Sequence, residues 1–321
     1  MVSTPSVSIN SFRSNSARTV RGYLFIAAAG LCWGISAALG RAAFTGRLLG
    51  GAIHSIDPLI IAQSRTTISL LVLAPILLLR RGPQAFRMGR RDLGLSLALG
   101  VFGVAFSNYF YYLAIQKTNV ATAIILQYTA PILVLLYMVA RRRQRATPRR
   151  VGSVLLAVFG IALTVGMIGP GRFRVSPSGL IAAEMAAASF AYYNVAAGGL
   201  LQRYDRWRVL VMALTAAVLF WLVVNPPWKI MAAHYSGLEW LFLAVFAMSS
   251  VLLPFSFYFG GLQCLDATRA VVTSCLEPVF SIAIAAATLG EKLGPMQFIG
   301  ISVVLSATVA VQLPERLNGE K

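Results

Sequence analysis

Charged residues make up only 12% of this 321-residue sequence, and acidic ones are especially scarce, since ten Asp and Glu stand against 28 Lys and Arg. Hydrophobic residues reach 58%, which is more apolar surface than a water-soluble protein can bury. The net charge of +18 would by itself suggest a nucleic-acid partner, but such a partner needs an exposed basic surface that this chain can hardly supply. A polytopic membrane protein explains both features if the basic residues lie in loops on one side.

Cysteine and histidine are equally rare. Cys32, Cys264 and Cys275 all lie in or beside apolar runs, so the sequence predicts neither a disulfide framework nor a metal site. His54 and His234 fall between the apolar runs, and no cluster of Asp, Glu and His occurs inside them. A membrane-embedded enzyme is therefore the weaker alternative, and no cofactor is predicted.

Apolar runs long enough to cross a bilayer, about 20 residues each, occur ten times. They lie near 22–45, 57–79, 93–116, 119–140, 151–169, 178–201, 207–225, 238–263, 268–289 and 294–313. The first 21 residues are rich in Ser, Asn and Arg and are predicted to be a disordered cytoplasmic tail, with a second tail over 314–321. The sequence thus predicts an all-α integral membrane protein with ten transmembrane helices.

The basic residues predict the orientation of these spans. With the N-terminus inside, 20 Lys and Arg fall in the inner segments and seven in the outer ones, while Arg65 lies within the second span. Because cytoplasmic loops carry the excess of Lys and Arg, both termini are predicted to be cytoplasmic. Anionic lipids at the inner surface are the expected partners of this charge, and no nucleic acid is expected.

The sequence also contains an internal repeat. Shifting the chain by 147 residues aligns Gln116 with Gln263, Asn119 with Asp266, Ala123 with Ala270, Pro131 with Pro278, Arg145 with Lys292 and Pro148 with Pro295. Trp33 lines up near Phe190, which extends the repeat to five spans, and an odd number of spans forces the two copies into opposite orientations. Chance alignment of apolar helices is the alternative, but paired prolines and loop chemistry recur together. Inverted repeats place a substrate site near the membrane midplane and are typical of transporters.

Several residues of the repeats resemble a known family. The sequence resembles the two EamA repeats of the drug/metabolite transporter superfamily at Trp33-Gly34, Pro131, Glu277-Pro278 and above all Gly290-Glu291-Lys292-Leu293-Gly294-Pro295, followed by Gln297 and Gly300. The first repeat departs from this pattern where the family often has an acidic residue and this chain has Gln144. The resemblance implies two inverted five-helix repeats, over 22–169 and 178–313, and a secondary carrier of small metabolites in a bacterial inner membrane. It does not fix the substrate.

Polar side chains inside the spans are costly unless they are paired or face a cavity, so each is a candidate for the substrate site. The predicted set is Trp33, Asn108, Tyr111, Tyr112, Gln127, Tyr128, Tyr193, Asn194, Ser256, Tyr258 and Glu277. Asn108, Tyr111 and Tyr112 share one helix face that suits a zwitterion with an apolar side chain. Ser256 and Tyr258 are their inverted counterparts, so the two groups are predicted to form opposite walls of one cavity.

Each of these candidates also has a structural interpretation. The tyrosines can anchor at the membrane interface, Gln127 and Asn194 can form interhelical hydrogen bonds, and Trp33 can simply pack. Glu277 precedes Pro278, which breaks the helix, so its carboxylate either binds a substrate amine or a proton, or bonds freed backbone groups. Arg65 and Glu184 lie at similar depth and are expected to pair with each other, with substrate contact by one of them as the alternative.

These features together predict a secondary transporter that exports amino acids or amino-acid-like compounds, including aromatic or hydrophobic ones, by alternating access. A sugar-phosphate or nucleotide-sugar carrier would need several buried cations, and only Arg65 is deep. A drug-cation exporter would need buried acids, which Glu277 and Glu184 provide. The sequence leaves open the coupling ion and the oligomeric state, for which a monomer is one interpretation.

Overall fold

The fold is a bundle of helices. A computed structural model describes residues 9–44, 56–117, 123, 126–164, 176–289 and 294–313, and within them the chain forms ten helical spans and no strand. The spans are α1 (Ile9–Phe44), α2 (Pro58–Arg81), α3 (Arg90–Ala98, Leu99–Ala105 and Phe106–Lys117), α4 (Ala130–Ala140), α5 (Pro148–Thr164), α6 (Pro177–Leu201), α7 (Arg206–Val224), α8 (Gly237–Ala247, Met248–Leu252 and Leu253–Leu262), α9 (Ala267–Ser274 and Leu276–Leu289) and α10 (Pro295–Gln312). Each coincides with a predicted span, so the all-α prediction is confirmed. Gly290 to Leu293 of the family motif lie outside the described residues.

The surface of the bundle is apolar. Among the residues that the structure describes, five helical stretches are long and apolar enough to cross a membrane, namely Ala17–Ser36, Leu59–Phe86, Arg90–Ala114, Arg206–Val224 and Gly237–Leu262. Ala130–Ala140 and Pro295–Val311 are shorter apolar helices. Large apolar side chains on these helices face outward, and Leu71 (66% exposed) and Val223 (80% exposed) are examples. Such a continuous apolar exterior suits lipid contact and not water.

Helix α1 begins at Ile9, well before Gly22, which corrects the prediction of a disordered tail for residues 9–21. This stretch contains neither proline nor glycine, so nothing in it terminates the helix. The extension is also held by contacts: Arg18 donates to the carbonyl of Gln263 at 2.8 Å, and Gly22 packs against Cys264 and Leu265.

Equivalent helices of the two repeats begin in the same way. Asp57 caps α2 by accepting a hydrogen bond from the backbone N–H of Leu59 at 2.7 Å, and Asp205 caps α7 by accepting one from Trp207 at 3.1 Å. A side-chain oxygen at this position satisfies a backbone donor that the helix leaves free. The local signals that start a helix therefore recur with the repeat.

Helices α3 and α8 each contain a π-helical segment, Leu99–Ala105 and Met248–Leu252. The 147-residue shift carries the first segment onto the second. In α3 the segment brings Gly100 so close to α7 that a Cβ there would lie 2.2 Å from the carbonyl oxygen of Ala213. Only glycine permits this approach of the two backbones.

The helices pack in symmetric pairs. Helix α1 contacts α8 and α9, and α6 correspondingly contacts α3 and α4, while α2 packs on α7 and α5 on α10. Exchanging the first five helices with the last five converts the contacts of α1 into those of α6 and leaves the pairs α2–α7 and α5–α10 unchanged. The repeats are also inverted: α1 starts near Gln263, whereas α6 starts at the opposite end, where Ser176 donates to the carbonyl of Lys117 at 2.9 Å.

Contacts between loops define one end of the bundle, which we call the basic end. It comprises 82–89, 141–147, 202–205 and 263–266, the connections that follow α2, α4, α6 and α8. Asp92 bonds Arg203 at 2.6 Å, and Gln263 donates to the carbonyl of Tyr204 at 3.5 Å. Near the last of these connections Arg150 approaches Asp266 at 3.8 Å. The arginine-rich loops that the sequence assigned to one side thus meet at one end of the molecule.

Candidate functional site

The two helices that carry the paired prolines are both interrupted. In α4 the regular helix starts only at Ala130, after a turn at Tyr128 and Thr129, and α9 is interrupted at Cys275. At both places the backbone forms a tighter turn, with Thr129 N donating to Leu126 O at 3.1 Å and Cys275 N donating to Val272 O at 3.1 Å. Proline removes the N–H that would continue the ladder, so the break falls just before Pro131 and Pro278. The predicted pair of broken helices is present.

A side chain from one break reaches into the other. The hydroxyl of Tyr128 donates to Glu277 Oε2 at 2.8 Å and lies 3.4 Å from the carbonyl oxygen of Ser274. Tyr128 is 5% exposed, and Glu277 is part-buried. A hydrogen bond to a carboxylate is stronger than one between neutral groups. The two repeats are therefore joined, at their discontinuities, by a side-chain hydrogen bond inside an apolar bundle.

Aromatic side chains form a wall beside this bond. The rings of Trp33 and Tyr258 lie 5.3 Å apart, and those of Tyr193 and Tyr258 lie 5.8 Å apart. The Tyr258 hydroxyl donates to Asn194 Oδ1 at 2.5 Å, and the indole of Trp33 donates to the carbonyl of Ser250 at 3.2 Å. The Tyr193 hydroxyl is buried and has no hydrogen-bond partner among the described residues. These predicted residues come from α1, α6 and α8 and lie together.

A second group lies around Arg65 of α2. Its guanidinium donates to Asn108 Oδ1 and lies over the ring of Tyr112, 5.3 Å from the ring centre. Tyr112 in turn packs against Tyr111, with ring centres 5.5 Å apart. The expected pairing of Arg65 with Glu184 is wrong, because Glu184 points away from the bundle and is exposed. Arg65 uses the neighbouring helix α3 for its partners and not α6.

Electrostatics connect the two groups. The positive charge of Arg65 acts favourably on the Glu277 carboxylate across the centre of the bundle. Tyr111 is near enough to Tyr128 for their hydroxyls to interact. Tyr111 is also the residue that the 147-residue shift aligns with Tyr258, which occupies the other wall. The polar interior is thus one region that contains both a guanidinium group and a carboxyl group.

The remaining predicted residues have local partners. Gln127 donates to Ser107 Oγ at 3.4 Å, which joins the start of the α4 region to α3. Ser256 donates to the carbonyl of Leu252 within its own helix. Both lie beside the central region, where they remain predicted substrate contacts. Arg65 was not in the predicted set of site residues. The sequence signal that pointed to it is its position, because it is the only basic residue deep within a predicted span.

No group of three or more His, Cys, Asp or Glu residues that could hold a metal ion occurs in the part of the chain that the structure describes. The candidate site therefore consists of one carboxylate, one guanidinium, two amides and a set of aromatic rings. Such a set can bind both ends of a small zwitterion and enclose an apolar group between them.

Comparison with known proteins places these features in a family. The sequence profile of the EamA-like transporter family matches residues 20–166 and 177–312. The threonine/homoserine exporter RhtA of Escherichia coli K12 is 27% identical over 275 residues, which cover 83% of this chain and 88% of that protein. The inner membrane transporter YicL of Salmonella typhimurium, itself uncharacterized, is 25% identical over 229 residues, 71% of this chain and 75% of that one. A solved crystal structure superposes with a TM-score of 0.72 at 22% identity, over 92% of this chain and 96% of that chain.

Proposed function

Because the chain belongs to the EamA-like transporter family, we propose that it exports small zwitterionic metabolites, amino acids first, across the inner membrane by alternating access. The family makes it a multi-pass membrane transporter with a small-molecule substrate. The amino-acid substrate, the direction of transport and the assignment of site residues are the proposal.

The observation that carries the proposal is the presence of one carboxyl group, on Glu277, and one guanidinium group, on Arg65, in the same polar central region. An α-amino group carries a positive charge and an α-carboxylate a negative one, so a zwitterion matches both residues at once. Each charge is already held in place, Glu277 by Tyr128 and Arg65 by Asn108. A phosphate-bearing substrate would bring negative charge near Glu277, which is unfavourable. A simple cation would bring positive charge near Arg65, which is unfavourable too.

The aromatic wall favours a substrate with a side chain of moderate size. The rings of Trp33 and Tyr193 both pack against Tyr258, which is near enough to Glu277 to interact with it electrostatically. Rings of this kind contact methyl groups and other rings equally well, while their polar tips remain available. RhtA is named as a threonine/homoserine exporter, so these two amino acids are the first compounds to test.

Alternating access requires that contacts between the repeats open at one end. At the basic end, Arg81 bonds Asp205 at 2.7 Å, Arg203 bonds Asp92 at 2.6 Å, and Tyr204 donates to Asp92 at 3.0 Å. Each bond joins the first repeat to the second. Individual exposed ion pairs contribute little, about 0 to 1 kcal/mol, so the cluster can open without a large barrier.

The basic end is proposed to face the cytoplasm. Twenty of the 28 Lys and Arg residues belong to segments assigned to this end, against seven at the other. An Arg145→Cys variant, made in a chain whose three natural cysteines are replaced by serine, tests this. A membrane-impermeant maleimide should label it in inverted vesicles and not in intact spheroplasts, and labelling in spheroplasts would reverse the orientation.

Counterflow in proteoliposomes tests the substrate class. Purified full-length protein, loaded with unlabelled threonine, homoserine or a larger amino acid, should accumulate the same compound in labelled form. Matched analogues separate the two charges: the N-acetyl derivative removes the positive charge and the methyl ester removes the negative one. We expect both to compete at least about ten-fold less well than the parent, since each loses a hydrogen bond to a charged group.

Two results would overturn the proposal. If the methyl ester competes as well as the free amino acid, Arg65 does not bind the carboxylate and a simple cation is the better substrate class. If no amino acid is taken up while a cationic dye is, the chain is a drug exporter. Repeating the counterflow with and without a pH gradient then shows whether protons are coupled to transport.

A further inference from the structure

The loop between α4 and α5 forms a pocket at the basic end of the bundle. Its volume is about 450 Å³, and its lining consists of Arg142, Arg143, Gln144, Arg145, Arg150 and Asp266. Four guanidinium groups thus surround one carboxylate. Asp266 is already engaged, with Arg150 at 3.8 Å and Arg269 at 3.4 Å, whereas Arg142, Arg143 and Arg145 make no ion pair with any residue that the structure describes.

The pocket is held in shape by bonds to both repeats. Arg143 N and Gln144 N both donate to the carbonyl of Met138, at 2.8 and 3.1 Å, which folds the loop back onto the end of α4. Gln144 Oε1 accepts a hydrogen bond from Thr268 Oγ1 of α9 at 2.7 Å. The arginines are therefore presented from a fixed backbone and not from a loose tail, which lowers the entropy lost when they bind a ligand.

Arg142 has a backbone conformation that favours glycine. Its φ is +53°, in the left-handed region, where a residue with a Cβ is disfavoured relative to glycine. The connection itself does not demand arginines, because in the repeat-mate loop Arg145 aligns with Lys292, the only Lys or Arg there against six Arg here. The backbone at Arg142 therefore does not require a charged residue.

The surroundings indicate the ligand. Guanidinium groups bind phosphate oxygens in pairs and are favoured over other donors for this purpose. Directly before the loop, Leu136 (61% exposed) and Tyr137 (39% exposed) present apolar surface on the outside of α4. A ligand that carries a phosphate beside long apolar chains would contact both surfaces. We propose that this pocket binds the phosphate headgroup of an anionic phospholipid, with the acyl chains lying along α4.

Native mass spectrometry of the full-length protein tests this proposal. Protein is equilibrated with mixed micelles of phosphatidylglycerol and phosphatidylcholine in equal amounts, and the lipid that remains bound is counted. Phosphatidylglycerol should be retained at least about five-fold over phosphatidylcholine, since one arginine near an anionic lipid surface contributes a factor of that order. The triple variant R142G/R143Q/R145Q should lose this preference.

A matched control removes the same charge elsewhere at the basic end. Arg80, Arg90 and Arg91 are exposed and do not line the pocket, so R80Q/R90Q/R91Q should retain the preference. If both triple variants lose it equally, lipid attraction is diffuse and the proposal is wrong. If inorganic phosphate at millimolar concentration displaces the lipid completely, the pocket is a site for soluble phosphate, which also overturns it.

The single variant R142G removes one pocket charge without disturbing the fold. Glycine suits the left-handed backbone, so the midpoint of thermal unfolding should not fall, while lipid preference should decrease. An unchanged preference in a folded R142G protein, together with an unchanged preference in R145Q, would show that the pocket arginines do not bind lipid. Neither result depends on which substrate the protein transports.

Discussion

Helices α4 and α9 have the same break and different chemistry. Both are interrupted three or fewer residues before a proline, at positions that the 147-residue shift superposes. In α9 the residue before the proline is Glu277, and in α4 it is Ala130. Tyr128 of the first break reaches Glu277 of the second, whereas its repeat equivalent, Cys275, bonds only the carbonyl of Val271 in its own helix, at 3.5 Å.

This difference separates two requirements of a transporter. A symmetric backbone lets the bundle present equivalent contacts to either side, which is what alternating access needs. A substrate is not symmetric, so the groups that bind it need not obey the repeat. Glu277 and Arg65 have no charged repeat equivalents near the site, and they are where we expect specificity to reside.

Replacing Glu277 by Gln should have the largest effect on transport. The residue before the proline is then neutral in α9, as it is in α4. The variant keeps the shape of the side chain but loses the charged hydrogen bond from Tyr128 and the attraction of Arg65. Loss of a hydrogen bond to a charged group corresponds to about a ten- to hundred-fold effect. Counterflow should fall by that factor, and any dependence on a pH gradient should disappear.

If Glu277 had only a structural role, the Glu277→Gln variant would not lose transport. Glutamine can still accept the Tyr128 hydrogen bond, so the midpoint of thermal unfolding of the variant should be close to that of the unmodified protein. Retained counterflow with retained gradient dependence would mean that the acid in α9 only supports the broken backbone.

Replacing Gly34 by Ala tests the packing beneath the α9 break. A Cβ at Gly34 would lie 2.9 Å from the backbone nitrogen of Ser281, so α1 and α9 would have to separate. In the other repeat the aligned residue is Ala191, which is tolerated between α6 and α4. Overpacking of this kind costs about 1 to 3 kcal/mol, which thermal unfolding in detergent would detect.

Gly30 supplies the matched control. A Cβ there would lie 3.5 Å from the backbone nitrogen of Glu277, an ordinary contact. Gly30→Ala should therefore leave stability unchanged or raise it slightly, because alanine favours helix over glycine. Equal loss of stability in both variants would show that the close approach is not specific to the level of Gly34.

Replacing Tyr128 by Phe should have a smaller effect. The ring and its packing remain, while the hydroxyl that donates to Glu277 is lost. We expect counterflow to fall several-fold, since Glu277 keeps its attraction to Arg65. Cys275→Ser is the control from the equivalent position of α9, and it should change transport little because a serine hydroxyl can also donate to Val271. If the two variants behave alike, contact between the breaks does not matter for transport.

Much of the fold could be predicted because membrane spans are defined by length and hydropathy alone. The paired prolines also located both breaks, since the loss of a backbone donor is a local property. The partners of Arg65 could not be predicted in this way. Depth along a helix follows from counting, but which neighbouring helix a side chain faces depends on packing, so Asn108 and not Glu184 is its partner.

Other features left no usable signal in the sequence. Residues 9–21 are polar, as a disordered tail would be, yet they extend α1 because Arg18 and Gly22 contact the connection that follows α8. The π segments of α3 and α8 have ordinary apolar composition, and only the approach of Gly100 to α7 explains one of them. Contacts between residues that are distant in the sequence therefore determine both features.

The two π segments also occupy equivalent places in the two repeats. A π segment winds its backbone with wider hydrogen-bond spacing than an α-helix, so it accommodates an extra residue without shifting the rest of the helix. Leu99–Ala105 and Met248–Leu252 fall at the same place in the two halves. Each half therefore has its wider turns in the equivalent helix, α3 in the first repeat and α8 in the second.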